Sequence, residues 1–182
     1  LAACAILMIQ TGAMASEIGR LDWEQTQGDL LAEIPQIALG QDGKTEERDR
    51  VAPIVLGRDY LLTHLESAIE LCRNRTDSNV SHRIKKLLVT ITGNPTLSAH
   101  CLRHTLKANG DVVSANASHI SAIGGWKGSN IGEHQLRYGR DGLVRDEGFI
   151  SVRDTSLRVH DHIIKAVGNE SNVVSIAASK PA

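Results

Sequence analysis

The segment "SAHCLRHTLK", Ser98–Lys107, decides how the chain is read. Wound as a helix, it sets His100, Arg103, His104 and Lys107 at i, i+3, i+4 and i+7 on one face, while Leu97, Cys101, Leu102 and Leu106 fall elsewhere around the turn. A stripe at that spacing is normally apolar, so four potential cations on it ask for an anion. An i, i+3 His and Arg pair suits a phosphate oxygen: arginine supplies a planar fork of permanently charged donors, and histidine a second donor that also exchanges a proton. Taken alone, such a pair is more often a plain surface feature. His100 and His104 also have the i, i+4 spacing of a metal pair, although the missing Glu of H-E-x-x-H and the lack of a nearby third ligand weigh against zinc.

Outward from this segment, the 182 residues suit a single domain spanning 1–182, and 41% hydrophobic with 23% charged residues is a globular composition that excludes disorder. Aromatic residues make up only 3%, which leaves a core of Leu, Ile, Val and Ala, a palette suited to packed helices. A formal net charge of -1 excludes a protein that coats nucleic acid by bulk positive charge. The charge is divided, however. Residues 1–50 carry four basic and nine acidic side chains, and residues 73–145 carry eleven basic and four acidic, so a polyanion would meet the second region. Within it "HRIKK", His82–Lys86, reads by itself as a solvated surface.

Cys4, Cys72 and Cys101 are odd in number and widely spaced, which predicts neither a disulfide framework nor a cysteine zinc site and fits a reducing cytosol. The opening "LAACAILMIQTGAMAS" mimics a signal peptide. It has no initiating Met or basic n-region and is too short to span a bilayer, so we expect a buried helix in a chain whose N-terminus lies upstream.

Residues 1–10 read as a helix that breaks at Gly12 and restarts as a short one capped by Ser16 or Thr11. The runs "LDWEQ", "LLAEIPQIAL" and "RVAPIVL", separated by turn-rich segments, predict a small three-stranded antiparallel sheet in which Pro35 and Pro53 confine their strands to edges or ends. An amphipathic helix follows over Asp59–Arg73, then helices at about 78–92, 97–109, 115–124, 130–138 and 151–166. The class is α+β, mostly helical. In "ISAIGGWKGSNIGEHQLRYGRDG", Ile120–Gly142, an apolar helix ends at Gly124–Gly125, Trp126 and Lys127 follow, and Tyr138 stands between Arg137 and Gly139–Arg140. A tyrosine among arginines is usually a surface residue. In a chain with two tyrosines, one set among cations also has a phenolate that neighbouring charge stabilises, as a nucleophile requires.

Together these elements resemble the catalytic domain of the tyrosine recombinase, or phage-integrase, family. The family carries an Arg in a "TG-x-R-x-S-E" helix, a Lys in a β-hairpin, an H-x-L-R-H-T helix, a His or Trp after an "x-G-G" helix end, and a Tyr nucleophile. "HCLRHT" is similar to the third element and implies His100 and Arg103 as phosphate ligands, with His104 in support. "IGGW" implies Trp126 as an indole N–H donor to phosphate, "RYG" implies Tyr138 as nucleophile, and "DGKTEERDRVAPI" resembles the "KT…R-x-x-P" hairpin, making Lys44 the general acid for the leaving 5′ oxygen.

The resemblance covers residues 1 to about 142. It implies a site-specific recombinase that cuts and rejoins double-stranded DNA through a 3′-phosphotyrosyl intermediate, with no cofactor or metal because bond energy is kept in the ester. Lys85, Lys86, Lys127 and Arg137 would contact DNA. It also implies self-association on DNA as a dimer or tetramer, no membrane, a bacterial or phage-encoded chain at the nucleoid, and a separate N-terminal DNA-binding domain beyond these residues. The tail "ISVRDTSLRVHDHIIKAV" implies only a terminal helix, on which His160 and His162 read as surface residues.

One element departs from the pattern. "TGAMASE" puts Glu17 on the family Glu and Met14 on the first catalytic Arg, while Arg20 lies roughly 240° further round the helix and should face away. Loss of one charged donor costs about 3–4 kcal/mol of transition-state stabilisation, so the alternative expectation is a non-cleaving, DNA-binding relative.

Overall fold

The computed structural model describes residues 1–40, 49–126 and 147–169. Its first helix, α1 (Ala2–Thr11), carries the strong helix formers Ala, Leu, Met and Gln at six of its ten positions and buries Ala3, Cys4, Leu7 and Met8. It stops where Gly12 takes φ 64°, a left-handed conformation that an L side chain rarely adopts, and the Gly12 N–H closes the last turn on Met8 O. Gln10, fully buried near that end, accepts from the backbone N–H groups of Val55 and Leu56 and donates to Leu56 O, tying α1 to a segment forty-odd residues away.

The short α2 (Ala15–Gly19) begins at Met14 rather than at a Ser16 or Thr11 cap. Glu17 reaches back to accept the Met14 N–H at 2.7 Å, which satisfies a donor the helix start leaves orphaned. Thr11 turns inward instead, donating to Leu7 O and accepting from Ala13 N.

"LDWEQ" is helical, a correction to the expected strand: α3 (Trp23–Leu31) starts at Asp22, whose side chain accepts from Gln25 N at 2.9 Å. Its inward residues Trp23, Thr26 and Leu30 recur at helical spacing. A five-residue alternation is too short to outweigh a capped helix start.

The described sheet therefore has two strands rather than three. β1 (Gln36–Leu39) and β2 (Arg50–Pro53) pair antiparallel in the register Gln36↔Pro53, Ile37↔Ala52, Ala38↔Val51 and Leu39↔Arg50. Pro35 precedes β1 and Pro53 closes β2, the positions that a missing N–H allows.

The remaining elements follow the helical pattern of the sequence. α4 (Arg58–Arg73) buries Leu61, Leu65, Ala68, Ile69 and Cys72; α5 (Asp77–Thr92) is capped by Thr76 and ends at Gly93; α6 (Ala99–Val112) carries the segment quoted first. α7 (Ala117–Gly124) is capped by Asn116, and α8 (Glu147–Asn169) is longer than the expected 151–166. The expected helix at 130–138 lies outside the described residues. α1 runs through the middle, packed against α4 and α6, while α2 and α3 lie on α4, and α7 packs on α6, α8 and β2. Among the described residues no helix is long and apolar enough to cross a membrane.

α8 corrects a second expectation. His162 is half-buried, and His160 is 1% exposed, its Nδ1 donating to Ser156 O at 2.7 Å. The tail's "RVHDH" alternates by charge, and only the surface α8 lies on reveals that position 160 faces inward.

Burial holds the His160 imidazole below the ordinary histidine value of about 6.5, opposed by the backbone carbonyls of Ser156 and Ile9 and by Asp161 beside it. The unfolded chain thus binds the proton first. Stability is full above the unfolded value and falls as pH drops through and below it, a loss to which His119, also lowered by burial, adds. Urea midpoints measured from pH 7.5 to 5 should decline, and the decline should shrink in His160→Leu.

Candidate functional site

A buried ion pair stands where α1, α2, β2 and α7 meet. β2 alternates inward at Arg50, Ala52 and Ile54, so the strand drives a guanidinium into the core at a position where its neighbours bring apolar side chains. Arg50 Nη1 lies 2.7 Å from Glu17 Oε1, the two side chains being 4% and 2% exposed. Its Nε donates to Ile123 O at 2.8 Å and its Nη2 to Thr11 O at 3.3 Å. Glu17 uses its other oxygen on the Met14 N–H. One guanidinium and one carboxylate thereby fix the end of α1, the start of α2 and the end of α7 against each other.

Two groups built on those ends face one another. After α7 the chain turns at Gly125 in the left-handed conformation, and Trp126 folds back over Gly124, where any Cβ would overlap the indole ring. The Arg103 guanidinium lies over that indole, its Cζ 4.7 Å from the ring centroid, and its Nη1 donates to Gly12 O. Arg103 is thus held from two sides by residues 91 positions before it and 23 after it, and its half-buried side chain also lines a cleft.

The cleft has a volume of about 90 Å³. The α1–α2 junction supplies Ala13 and Met14 to it, the first turns of α5 supply Asp77 and Ser81, and α6 supplies His100 and Arg103. The quoted helix thus turns His100 and Arg103 to one wall, as their i, i+3 spacing predicts. His104 and Lys107 lie further out, exposed, with the His104 ring in edge contact with His100 at 4.3 Å. Among the described residues no group of three His, Cys, Asp or Glu side chains stands together to hold a metal. Cys101, on the same first turn, has its thiol held below the usual range by the Ser98 hydroxyl 3.4 Å away and by backbone N–H groups.

Of the residues singled out from sequence, His100, Arg103 and Met14 come together at the cleft, and Trp126 backs Arg103. Lys85 and Lys86 are exposed on α5, beside α6. Arg20 is exposed and turned outward as expected. Lys44, Lys127, Arg137 and Tyr138 lie outside the described residues. Sequence reading missed Arg50, although its inward parity in "RVAPI" was a usable signal, and missed Asp77, for which the sequence holds none. No family model, curated protein or solved structure matches the chain.

Removing one half of a buried ion pair leaves the other charge without its partner, at a cost of about 3–5 kcal/mol. Arg50→Met should lower stability in chemical denaturation by that order, and the double variant Glu17→Leu with Arg50→Met should recover much of the loss. Equal destabilisation of the single and double variants would show that the carbonyl contacts, not the ion pair, dominate.

Proposed function

We propose that the chain is the catalytic domain of a site-specific DNA recombinase of the tyrosine class. The observation that carries the reading is the convergence of three distant segments, "TGAM", "HCLRHT" and "IGGW", on one cleft and one arginine. In this reading the anion that the His100 and Arg103 face asks for is a scissile phosphate. Arg103, oriented by Gly12 O and Trp126, is preorganised toward charge that grows in the transition state. His100 donates beside it, and the Trp126 indole N–H adds a third donor.

The chemistry on this reading is attack by the Tyr138 hydroxyl on phosphorus, forming the 3′-phosphotyrosyl bond as the bond to the 5′ oxygen breaks. Lys44 gives that oxygen its proton. A second strand's 5′-hydroxyl reverses the step, so the protein joins what it cuts. Lys85, Lys86, Lys127 and Arg137 meet the DNA backbone, which makes affinity fall steeply with salt. Self-association on double-stranded DNA, at a bacterial or phage nucleoid, completes the proposal. A nicked suicide substrate tests it: the protein should become covalently attached, and Tyr138→Phe should abolish the adduct while leaving DNA affinity almost unchanged. An adduct that survives in the Phe variant overturns the assignment.

A second reading, a relative that binds DNA without cutting it, is favoured by the cleft itself. Met14 occupies the wall where the family has a cation, and the Asp77 carboxylate lines the same space. Glu17 has one oxygen on Arg50 and the other on the Met14 N–H, so Asp77 is the carboxylate across the cleft from a new guanidinium at position 14. Met14 is half-buried on an open wall, so the introduced charge keeps water. On the recombinase reading Met14→Arg raises the rate of covalent complex formation by roughly 10²-fold with little change in melting temperature. A lower melting temperature with cleavage still negligible would favour the non-cleaving relative.

A further inference from the structure

Two thiols that sequence spacing sets 68 residues apart face each other in the core. Cys4 Sγ and Cys72 Sγ are 3.6 Å apart, on α1 and at the last turn of α4, with Cys4 0% and Cys72 5% exposed. Both are free thiols, as is Cys101. Their surroundings make the approach a fixed one. The Cys72 backbone is packed directly against Gly19 of α2, and Arg73 next to it donates to Gly19 O and Leu21 O, so the end of α4 is bound to α2. On the other side, α1 is pinned by Gln10 to Val55 and Leu56.

We propose that Cys4 and Cys72 are an oxidation-sensitive pair that closes to a reversible disulfide when the protein meets hydrogen peroxide. The pair polarises one sulfur: the Cys72 S–H donates to Cys4, holding the Cys4 thiol down to about 7, while the Cys72 thiol is pushed up by that same bond and by burial. The Cys4 thiolate attacks one peroxide oxygen. An S–O bond forms, the O–O bond breaks, and the departing hydroxide takes up the proton that Cys4 had released, giving water. Cys72 sulfur then attacks the sulfenic acid; the S–S bond forms, the S–O bond breaks, and the hydroxyl leaves with the Cys72 proton as a second water. Each sulfur gives one electron, and peroxide takes two.

The closed bond joins α1, near its start, to the last turn of α4. Met8, one turn beyond Cys4 on α1, is one of the residues lining the cleft. The inference stands on the thiol geometry and is independent of the recombinase reading.

The test uses the full chain, reduced and then treated with hydrogen peroxide. Reactive thiols in denaturant should fall from three to one, intact mass should drop by two hydrogen atoms, and a digest run without reductant should join the peptides holding Cys4 and Cys72. Dithiothreitol should reverse all three changes. The melting temperature should rise by roughly 5–10 °C, because a long closed loop restricts the unfolded chain. Cys101→Ser should leave the cross-link intact, and Cys72→Ser should abolish it. Three thiols still reactive after peroxide, sulfinic acid in place of a cross-link, or a link made through Cys101 would each overturn the proposal, and each is read on the unmutated chain even where a serine variant fails to fold.

Discussion

The ion pair of Glu17 with Arg50 is the constraint on which the rest of the molecule turns. Charged groups taken out of water cost several kcal/mol each unless every donor and acceptor is met. Here the carboxylate is shared between a guanidinium and a helix-start N–H, and the guanidinium between that carboxylate and two carbonyls, those of Thr11 and Ile123. Such a pair adds less net stability than apolar packing of the same volume would. Its contribution is position: hydrogen bonds have direction, and hydrophobic contacts do not. The core of Leu, Ile, Val and Ala around it would tolerate small slides of one helix on another; the pair does not.

What it positions is a second, half-buried cation. Arg103 takes its orientation from Gly12 O, one residue beyond the carbonyl Arg50 holds, and from Trp126, three residues beyond the other carbonyl Arg50 holds. The inner arginine thus sets the two supports of the outer one. A guanidinium supported on both faces loses little further freedom when it meets an anion, and that preorganisation is what a phosphate-handling site requires. The surface beyond it continues in the same sense, with His104 and Lys107 on α6 and Lys85 and Lys86 on α5 all exposed.

Much of this was legible in the residues. Ser98–Lys107 shows the cationic face because an isolated helix repeats every 3.6 residues whatever it packs against, and α6 places His100 and Arg103 on one wall as that period demands. Gly12 and Gly125 mark helix ends for an equally local reason, the left-handed turn each one takes. "LDWEQ" was not legible as a helix, because five alternating residues satisfy a strand as readily as the start of a capped helix, and its inward set of Trp23, Thr26 and Leu30 is defined only by the α4 and β1 surfaces it covers. Nor was His160, since a histidine beside an aspartate and a second histidine reads as solvated until α8 is laid down with that position facing in.

The sequence by itself determined the helical character, the division of charge along the chain, the strand-ending prolines and the single face that carries His100 and Arg103. These follow from backbone periodicity, ring constraints and side-chain charge, all properties of neighbours in the chain. Only the tertiary structure decided that Arg50 finds Glu17, that Met14 and Asp77 share a cleft with Arg103, and that Cys4 meets Cys72. Those partners are separated by 26 to 89 positions, and no local periodicity carries the identity of the mate that a buried side chain finds.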